Sequence, residues 1–323
     1  MRLNRLTALP IALFAAIAFA LAGCATSPPD TAGTWSFAAM GDTPYSDAEE
    51  AQLRPMIQRM NAEPLAFVVH VGDIISGRGN CSDAAFAHSK EIYDAFAHPF
   101  ILTPGDNEWT DCHRGGFDPL QSLERIRTLF HSGDRSTGKR TIPLIRQSDT
   151  DRRFAEYREN VRWRNRGVVF VTLNVPGSNN NLGRSPESDA EHKRRMAANF
   201  EWLDEAVKAA EKPDALGLVI FVQANIGFDG NPRRRPGYPD GFLEFRKVLA
   251  THAGWLKKPI LFVHGDTHLY KVDKPLIDAA TGTPFENFIR LEVDGSPFVN
   301  WARVTVDPAS KSLFIIQRGR EPI

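Results

Sequence analysis

Short apolar runs that stop at a glycine and an aspartate punctuate this chain. Phe37-Ala38-Ala39-Met40 leads into Gly41-Asp42, and Phe67-Val68-Val69-His70-Val71 into Gly72-Asp73. Pro99 to Pro104 leads into Gly105-Asp106-Asn107-Glu108, and Pro259 to His264 into Gly265-Asp266-Thr267-His268. Apolar runs this short, bounded by turn residues, predict buried strands. The glycine predicts a sharp backbone turn that leaves a carboxylate at the strand's C-terminal end. A fifth pair, Gly133-Asp134, lies in a polar stretch and reads as an ordinary turn.

The segments between these runs carry helical spacing. Ser46-Asp47-Ala48-Glu49 has a capping pattern and opens a helix toward Ala62, with Pro55 predicting a kink or a broken start. Ser82 opens a second helix, with Phe86, Ile92, Tyr93 and Phe96 on one face, and Asp118 to Phe130 reads as a third. From Asp42 to Asp73 is 31 residues and from Asp73 to Asp106 is 33, about one strand-helix unit each. The first third therefore predicts β-α-β-α-β.

Residues 131–152 read as a polar insertion, and Phe154 to Glu159 as helical. Val161 to Arg164 and Val168 to Val175 predict a hairpin around Asn165-Arg166-Gly167, its alternating arginines marking a solvated sheet edge. Gly177 to Asn181 is a loop. Ser188 to Lys212 is a long helix with Met196, Phe200, Leu203 and Val207 on one face and His192 on its surface. A strand from Leu216 to Val222 ends at Gln223, and a helix from Phe242 to His252 precedes the strand into Asp266. After Tyr270 the pattern becomes strands, at Phe288–Val293, Val299–Val306 and Leu313–Gln317, which predicts a second sheet.

Composition changes the picture in two ways. Lysine plus arginine equals aspartate plus glutamate, 39 each, so there is no basic excess of the kind nucleic-acid binding requires. The start is different in kind. Arg2 and Arg5 precede an apolar stretch from Leu6 to Ala22, and Leu21-Ala22-Gly23-Cys24 follows. This resembles the lipobox of bacterial lipoproteins, which implies cleavage before Cys24, lipidation of Cys24 and a place in the cell envelope, with the outer membrane favoured by Ala25. An uncleaved membrane anchor is the alternative. Residues 1–23 are then a signal peptide, 24–33 a tether and 34–318 one domain. Without residues 1–23 the chain has 37 basic and 39 acidic residues, a charge of about −2. Cys81 and Cys112 remain, the right number for one disulfide in an oxidising compartment.

Four strand ends that each present an aspartate predict one shared site, because open α/β sheets place ligands at strand C-termini. Carboxylates crowded together repel, and bound metal ions relieve the repulsion. The set Asp42, Gly72-Asp73, Gly105-Asp106-Asn107-Glu108, Gln223 and Gly265-Asp266-Thr267-His268 resembles the calcineurin-like metallophosphoesterases over about residues 35 to 270. The resemblance implies an α/β fold of two mixed β-sheets packed as a sandwich and flanked by helices in four layers. It also implies two divalent metal ions and hydrolysis of a phosphoester, either a monoester or a diester. Carried over position by position, Asp42, Asp73, Asp106, Gln223, Asp266 and His268 hold metal, with Asp73 bridging.

The departures from the family pattern lie in the histidines. Pro44 stands where the family has a ligating histidine, and Tyr45 beside it is a candidate ligand. Asp106 replaces an asparagine ligand, and Gln223 and Asp266 replace histidine ligands. Asn107 replaces a catalytic histidine and can donate a hydrogen bond but no proton. His113 is the candidate to supply that proton. The second metal site becomes all oxygen, which favours manganese or magnesium, with iron or calcium as other candidates. Glu108 is expected to orient Asn107 or a loop. His70 and His264 are expected as satisfied core histidines. Arg233 and Arg234, with Arg235, are candidates to clamp a substrate phosphate, and Asn179 to line the pocket. The alternative function is a non-catalytic lipoprotein that binds metal or a phosphate-bearing ligand at a degenerate site.

Overall fold

A computed structural model of the chain describes residues 33–230 and 237–319. The expected leader, Cys24, most of the tether and Arg233 to Arg235 lie outside the described residues. Among the described residues, no helix is long and apolar enough to cross a membrane.

The strand-helix units form as the periodicity predicts. Strand β1 (Trp35–Met40) runs into helix α1 (Asp47–Asn61), β2 (Leu65–His70) into α2 (Asp83–Tyr93), and β3 (Phe100–Leu102) toward α3 (Pro119–Phe130). Side chains of Ser46, Ser82 and Asp118 cap the three helices by accepting from backbone N–H groups one turn in. Pro55 lies inside α1 without ending it. It faces solvent, so water can take the carbonyl its missing N–H leaves free.

The polar middle gives a two-residue strand, β4 (Ile145–Arg146), and the hairpin β5 (Val161–Asn165) and β6 (Val168–Thr172). The helix expected over Phe154 to Glu159 does not form; a single 3-10 turn spans Arg152–Phe154. The chain past it is set by Glu159, buried in a two-pronged ion pair with Arg127 of α3. Then follow α4 (Pro186–Glu211), β7 (Gly217–Phe221), α5 (Leu243–Trp255) and β8 (Ile260–His264). The last strands are β9 (Lys271–Asp273), β10 (Ile277–Asp278), β11 (Thr283–Pro284), β12 (Phe288–Glu292), β13 (Ala302–Val306) and β14 (Phe314–Arg318).

Two mixed sheets result. One has the order β14-β13-β1-β2-β3 and the other β4-β5-β6-β7-β8-β12-β9, with β10 and β11 paired alone. The C-terminal strands therefore do not make a sheet of their own. β12 joins β8 in parallel, and β13 joins β1 in antiparallel. Alternation along these strands marked them as strands but carried no information about their neighbours.

The sheets face each other across an aromatic core. Phe37 and Phe67 stack at 5.2 Å, and Phe170, Phe221 and Trp163 pack on them from the other sheet. The outer face of the first sheet buries Met40, Val68 and Leu102 against Leu53, Ile57, Phe86 and Ile126 of the helices. The second buries Val171, Ile220 and Phe262 against Trp202, Leu203 and Phe245. This is the four-layer sandwich the family resemblance implied.

Candidate metal centre

The C-terminal ends of β1, β2 and β8 share an unusual backbone. Asp42, Asp73, Asp266 and His268 all have positive φ, at 51°, 60°, 78° and 63°. Side-chain-bearing residues rarely adopt this region, and such strain collects at functional sites. The sequence pattern assigned the sharp turn to glycine, but here most of it falls on the acid that follows. At Gly105 and Gly265 the missing side chain gives room instead. A Cβ on Gly105 would stand 2.1 Å from Asp73 Oδ1, and one on Gly265 1.9 Å from Asp42 Oδ2.

The expected acids meet along one continuous arc. The Asp266 N–H donates to Asp42 Oδ1 at 3.0 Å, and His268 Nε2 faces the same oxygen at 3.5 Å. Tyr45 Oη lies 3.5 Å from His268 Nε2 and donates to Asp73 Oδ2 at 3.0 Å. Gln223 donates its amide to that Asp73 oxygen at 3.1 Å, and its own oxygen accepts the Gly177 N–H at 2.5 Å. Next along the chain, Ser178 Oγ lies 2.7 Å from both Asp106 Oδ2 and Asp111 Oδ1. Asn107 ties the arc together. Its N–H donates to Asp73 Oδ1 at 3.0 Å, and its side-chain amide donates to Tyr45 Oη at 2.8 Å. Glu108 braces the site from beneath, accepting the N–H groups of Asp73 and Gly105.

The electrostatics are those of crowded acids. Burial, and then the charges of Asp106 and Asp42, raise the Asp73 carboxyl well above the usual range. Asp266 is raised in the same way and from the same neighbours. Burial also raises Asp42, against the pull of His268. Glu108 and Asp111 are pushed up to about 7, chiefly by burial. Tyr45 is raised by burial and by the acids around it, so it holds its proton. His268 goes the other way: burial opposes its charge, but Asp42 outweighs burial and raises it.

Sequence reasoning missed what supports this arc. Ser178, Asn179, Asn180 and Asn181 all have positive φ. Beneath them Arg195 of α4 is fully buried and donates to the carbonyls of Asn174 and Asn180 and to Asn180 Oδ1. Glu191 pairs with that guanidinium at 2.7 Å, and the Trp109 ring packs over it. A helical arginine in a polar stretch gives no sign of this role. The run of three asparagines was the available signal, since asparagine tolerates left-handed backbone.

Other expected residues lie apart from the arc. His113 is exposed, donates to the Thr110 carbonyl at 2.7 Å and makes no hydrogen bond to the acids. The Asn179 side chain is spent on Leu182, Pro239 and Gly241. His192 is half-buried against the Asn180 carbonyl rather than free on the surface. His70 is a satisfied core histidine between the Gly72 N–H and Tyr93 Oη, and burial depresses it to about 3. Buried His264 donates Nδ1–H to the Gly265 carbonyl, but its Nε2 has no hydrogen-bond partner. Cys81 and Cys112 form a disulfide with Cα atoms 5.7 Å apart, clamping two loops of the site.

No family model matches this sequence, and no curated protein sequence matches it. Solved structures do. A dimetal phosphatase from Danio rerio superposes with a TM-score of 0.53 at 15% identity, over 88% of this chain and 96% of that one. PhoD superposes with a TM-score of 0.52 at 13% identity, over 87% of this chain. The chain spans 65% of PhoD's length. The chain has the calcineurin-like metallophosphoesterase fold. In that fold, as placed here, each carboxylate of the arc is turned to a hydrogen-bond donor. Among the described residues, no group of three or more His, Cys, Asp or Glu side chains stands ready to hold an ion.

Two features of this calcineurin-like fold nevertheless fit a cation. Asp42 Oδ2 is buried without a hydrogen-bond partner, which is costly for a carboxylate oxygen. His268 gives its Nδ1–H to the Ser296 carbonyl at 2.7 Å, which aims the Nε2 lone pair at Asp42. Two acceptors then face each other, and a proton or a metal ion between them satisfies both.

Proposed function

We propose that the chain hydrolyses phosphoesters with divalent cations held by Asp42, Asp73, Asp106, Asp266 and His268, in the cell envelope and tethered through Cys24. The observation that carries this reading is the meeting of these side chains at strand ends, four of them (Asp42, Asp73, Asp266 and His268) on positive-φ backbone, within the calcineurin-like fold. The donor set is mainly carboxylate, which suits manganese or magnesium. Bound there, the ions supply Lewis acidity toward a phosphoryl oxygen and relieve the repulsion among the buried acids.

The chain's own groups shape the rest. Gln223 and Tyr45 fix the Asp73 carboxylate by donating to Oδ2, and the Asn107 N–H fixes Oδ1. Tyr45 keeps its proton and orients. Asn107 stands where a proton donor is usual, but its two amide N–H groups go to Tyr45 Oη and the Ile75 carbonyl, so a departing alkoxide receives no proton from it. Substrates whose leaving group needs little protonation are therefore favoured, aryl esters over alkyl esters. The disulfide suits an oxidising compartment.

The test is turnover with manganese of p-nitrophenyl phosphate, bis(p-nitrophenyl) phosphate and an alkyl phosphate. Wild type is expected to hydrolyse an aryl ester faster than the alkyl ester, and Asp73→Ala to abolish the activity. Equal rates in the two proteins overturn the reading. Metal-induced stabilisation with no turnover assigns the site to binding alone.

A further inference from the structure

Hydrolysis at the strand ends, the reading on which this inference rests, leaves open which phosphoester is taken. One cation beside the acids answers this. Arg114 lies on the 3-10 turn Thr110–Gly115, two residues past the disulfide cysteine. Its Nη1 pairs with Asp111 Oδ2 at 2.7 Å and donates to the Gly77 carbonyl at 3.1 Å. Its side chain is 49% exposed while that of Asp111 is 3% exposed. Nε and Nη2 make no hydrogen bond with the described residues, which leaves one edge of the guanidinium fork to a ligand.

The acid that holds this guanidinium belongs to the arc. Asp111 Oδ1 shares the Ser178 hydroxyl with Asp106. Asn107 and Arg114 flank Gly77: a Cβ there would lie 2.5 Å from Asn107 Oδ1 and 3.3 Å from Arg114 Nη1. With glycine at 77, no side chain separates them. The turn packs closely against the Gly79 loop, since a Cβ on Gly115 would stand 1.8 Å from the Gly79 carbonyl oxygen.

We propose that Arg114 binds a terminal oxygen of the substrate phosphoryl group and makes the chain selective for phosphomonoesters. A monoester at neutral pH spreads two negative charges over three terminal oxygens, whereas a diester has one charge over two. A guanidinium outside the metal-holding set matches the extra charged oxygen of the monoester bidentately. A diester presents an uncharged ester oxygen in its place, and the fork is left without a partner.

The experiment compares wild type, Arg114→Ala, Arg114→Lys and Arg184→Ala, all manganese-loaded and disulfide-intact, with melting temperatures confirming the fold. Arg184 donates to the Thr110 carbonyl at 2.7 Å, on the same turn, and controls for general positive potential. Binding of orthophosphate and of dimethyl phosphate is titrated by calorimetry. The kcat/KM values for p-nitrophenyl phosphate and bis(p-nitrophenyl) phosphate are measured alongside. Arg114→Ala is expected to lower monoester kcat/KM about a hundredfold, as removal of one charged donor from a transition state does. Its effect on the diester is smaller by about tenfold or more, and orthophosphate affinity falls while dimethyl phosphate binding hardly changes. Arg114→Lys recovers part of the loss. Equal losses on both esters, unchanged orthophosphate affinity, or an equal loss in Arg184→Ala overturns the proposal. A wild type that hydrolyses neither ester overturns the hydrolase reading alone, and the orthophosphate isotherms still decide Arg114.

Discussion

Gly265→Ala tests whether the glycines at the strand ends serve the acids. The added Cβ would meet Asp42 Oδ2 at 1.9 Å, far inside any real contact. Asp42 cannot simply swing away. It is fully buried at positive φ, and its other oxygen accepts the Asp266 N–H at 3.0 Å. Crowding of this kind costs about 1–3 kcal/mol, which for a domain of this size lowers the melting temperature by roughly 5 °C. Gly254→Ala on α5 is the control, because its Cβ meets only Phe285 at 3.6 Å. Both substitutions restrict the unfolded chain alike, and alanine in a helix gains about 0.5–1 kcal/mol over glycine. Thermal and urea unfolding are measured with and without manganese. Gly254→Ala should be slightly more stable than wild type and keep its metal-induced shift. Gly265→Ala should be less stable and lose that shift. A Gly265→Ala protein with wild-type stability and an intact manganese response would refute the reasoning.

Ser178→Ala removes a hydroxyl that holds both Asp106 and Asp111; manganese affinity should fall about tenfold or more, read by calorimetry, with the melting temperature nearly unchanged. Burial alone would raise the Glu159 carboxyl, but Arg127 and Asn174 outweigh it and bring it down to about 2. With the folded value below the ordinary 4.5, the pair's stabilisation is complete above pH 4.5 and fades as pH falls toward 2. The stability advantage of wild type over Glu159→Gln should therefore shrink by about 3 kcal/mol across that window, measured by urea unfolding at several pH values. Replacing Cys81 and Cys112 by alanine opens a loop of sequence separation 31, which should lower the urea-derived stability by about 3.5 kcal/mol.

The candidate site was legible because its chemistry sits in a repeated local pattern. A strand followed by Gly-Asp places a carboxylate at a strand end whatever the distant partners are, so the placement of Asp42, Asp73, Asp106 and Asp266 after β1, β2, β3 and β8 follows from local pattern alone. The capping residues Ser46, Ser82 and Asp118 were legible for the same local reason. Legibility ended where long-range pairing decides. β12, β13 and β14 alternate as strands should, yet nothing in that alternation sends β12 to one sheet and β13 to the other. Phe154 to Glu159 has helical spacing, but the buried pairing of Glu159 with Arg127 fixes a different path. Nothing in the sequence sets Arg195 apart from the other charges of its long helix, yet the strained asparagine loop gives it a full set of acceptors in the interior. His113, the candidate for the missing proton donor, lies against the Thr110 carbonyl rather than among the acids, a placement that local sequence does not reveal.

The central claim is that acids from separate strand ends act together on divalent cations. The most direct measurement is the manganese bound per chain, by equilibrium dialysis and elemental analysis, in wild type and in Asp73→Ala. The account predicts about two ions on wild type, as dinuclear phosphoryl-transfer sites hold, and one or none on the variant. A wild-type chain that stays empty in millimolar manganese, or a variant that binds as much as wild type, would contradict it.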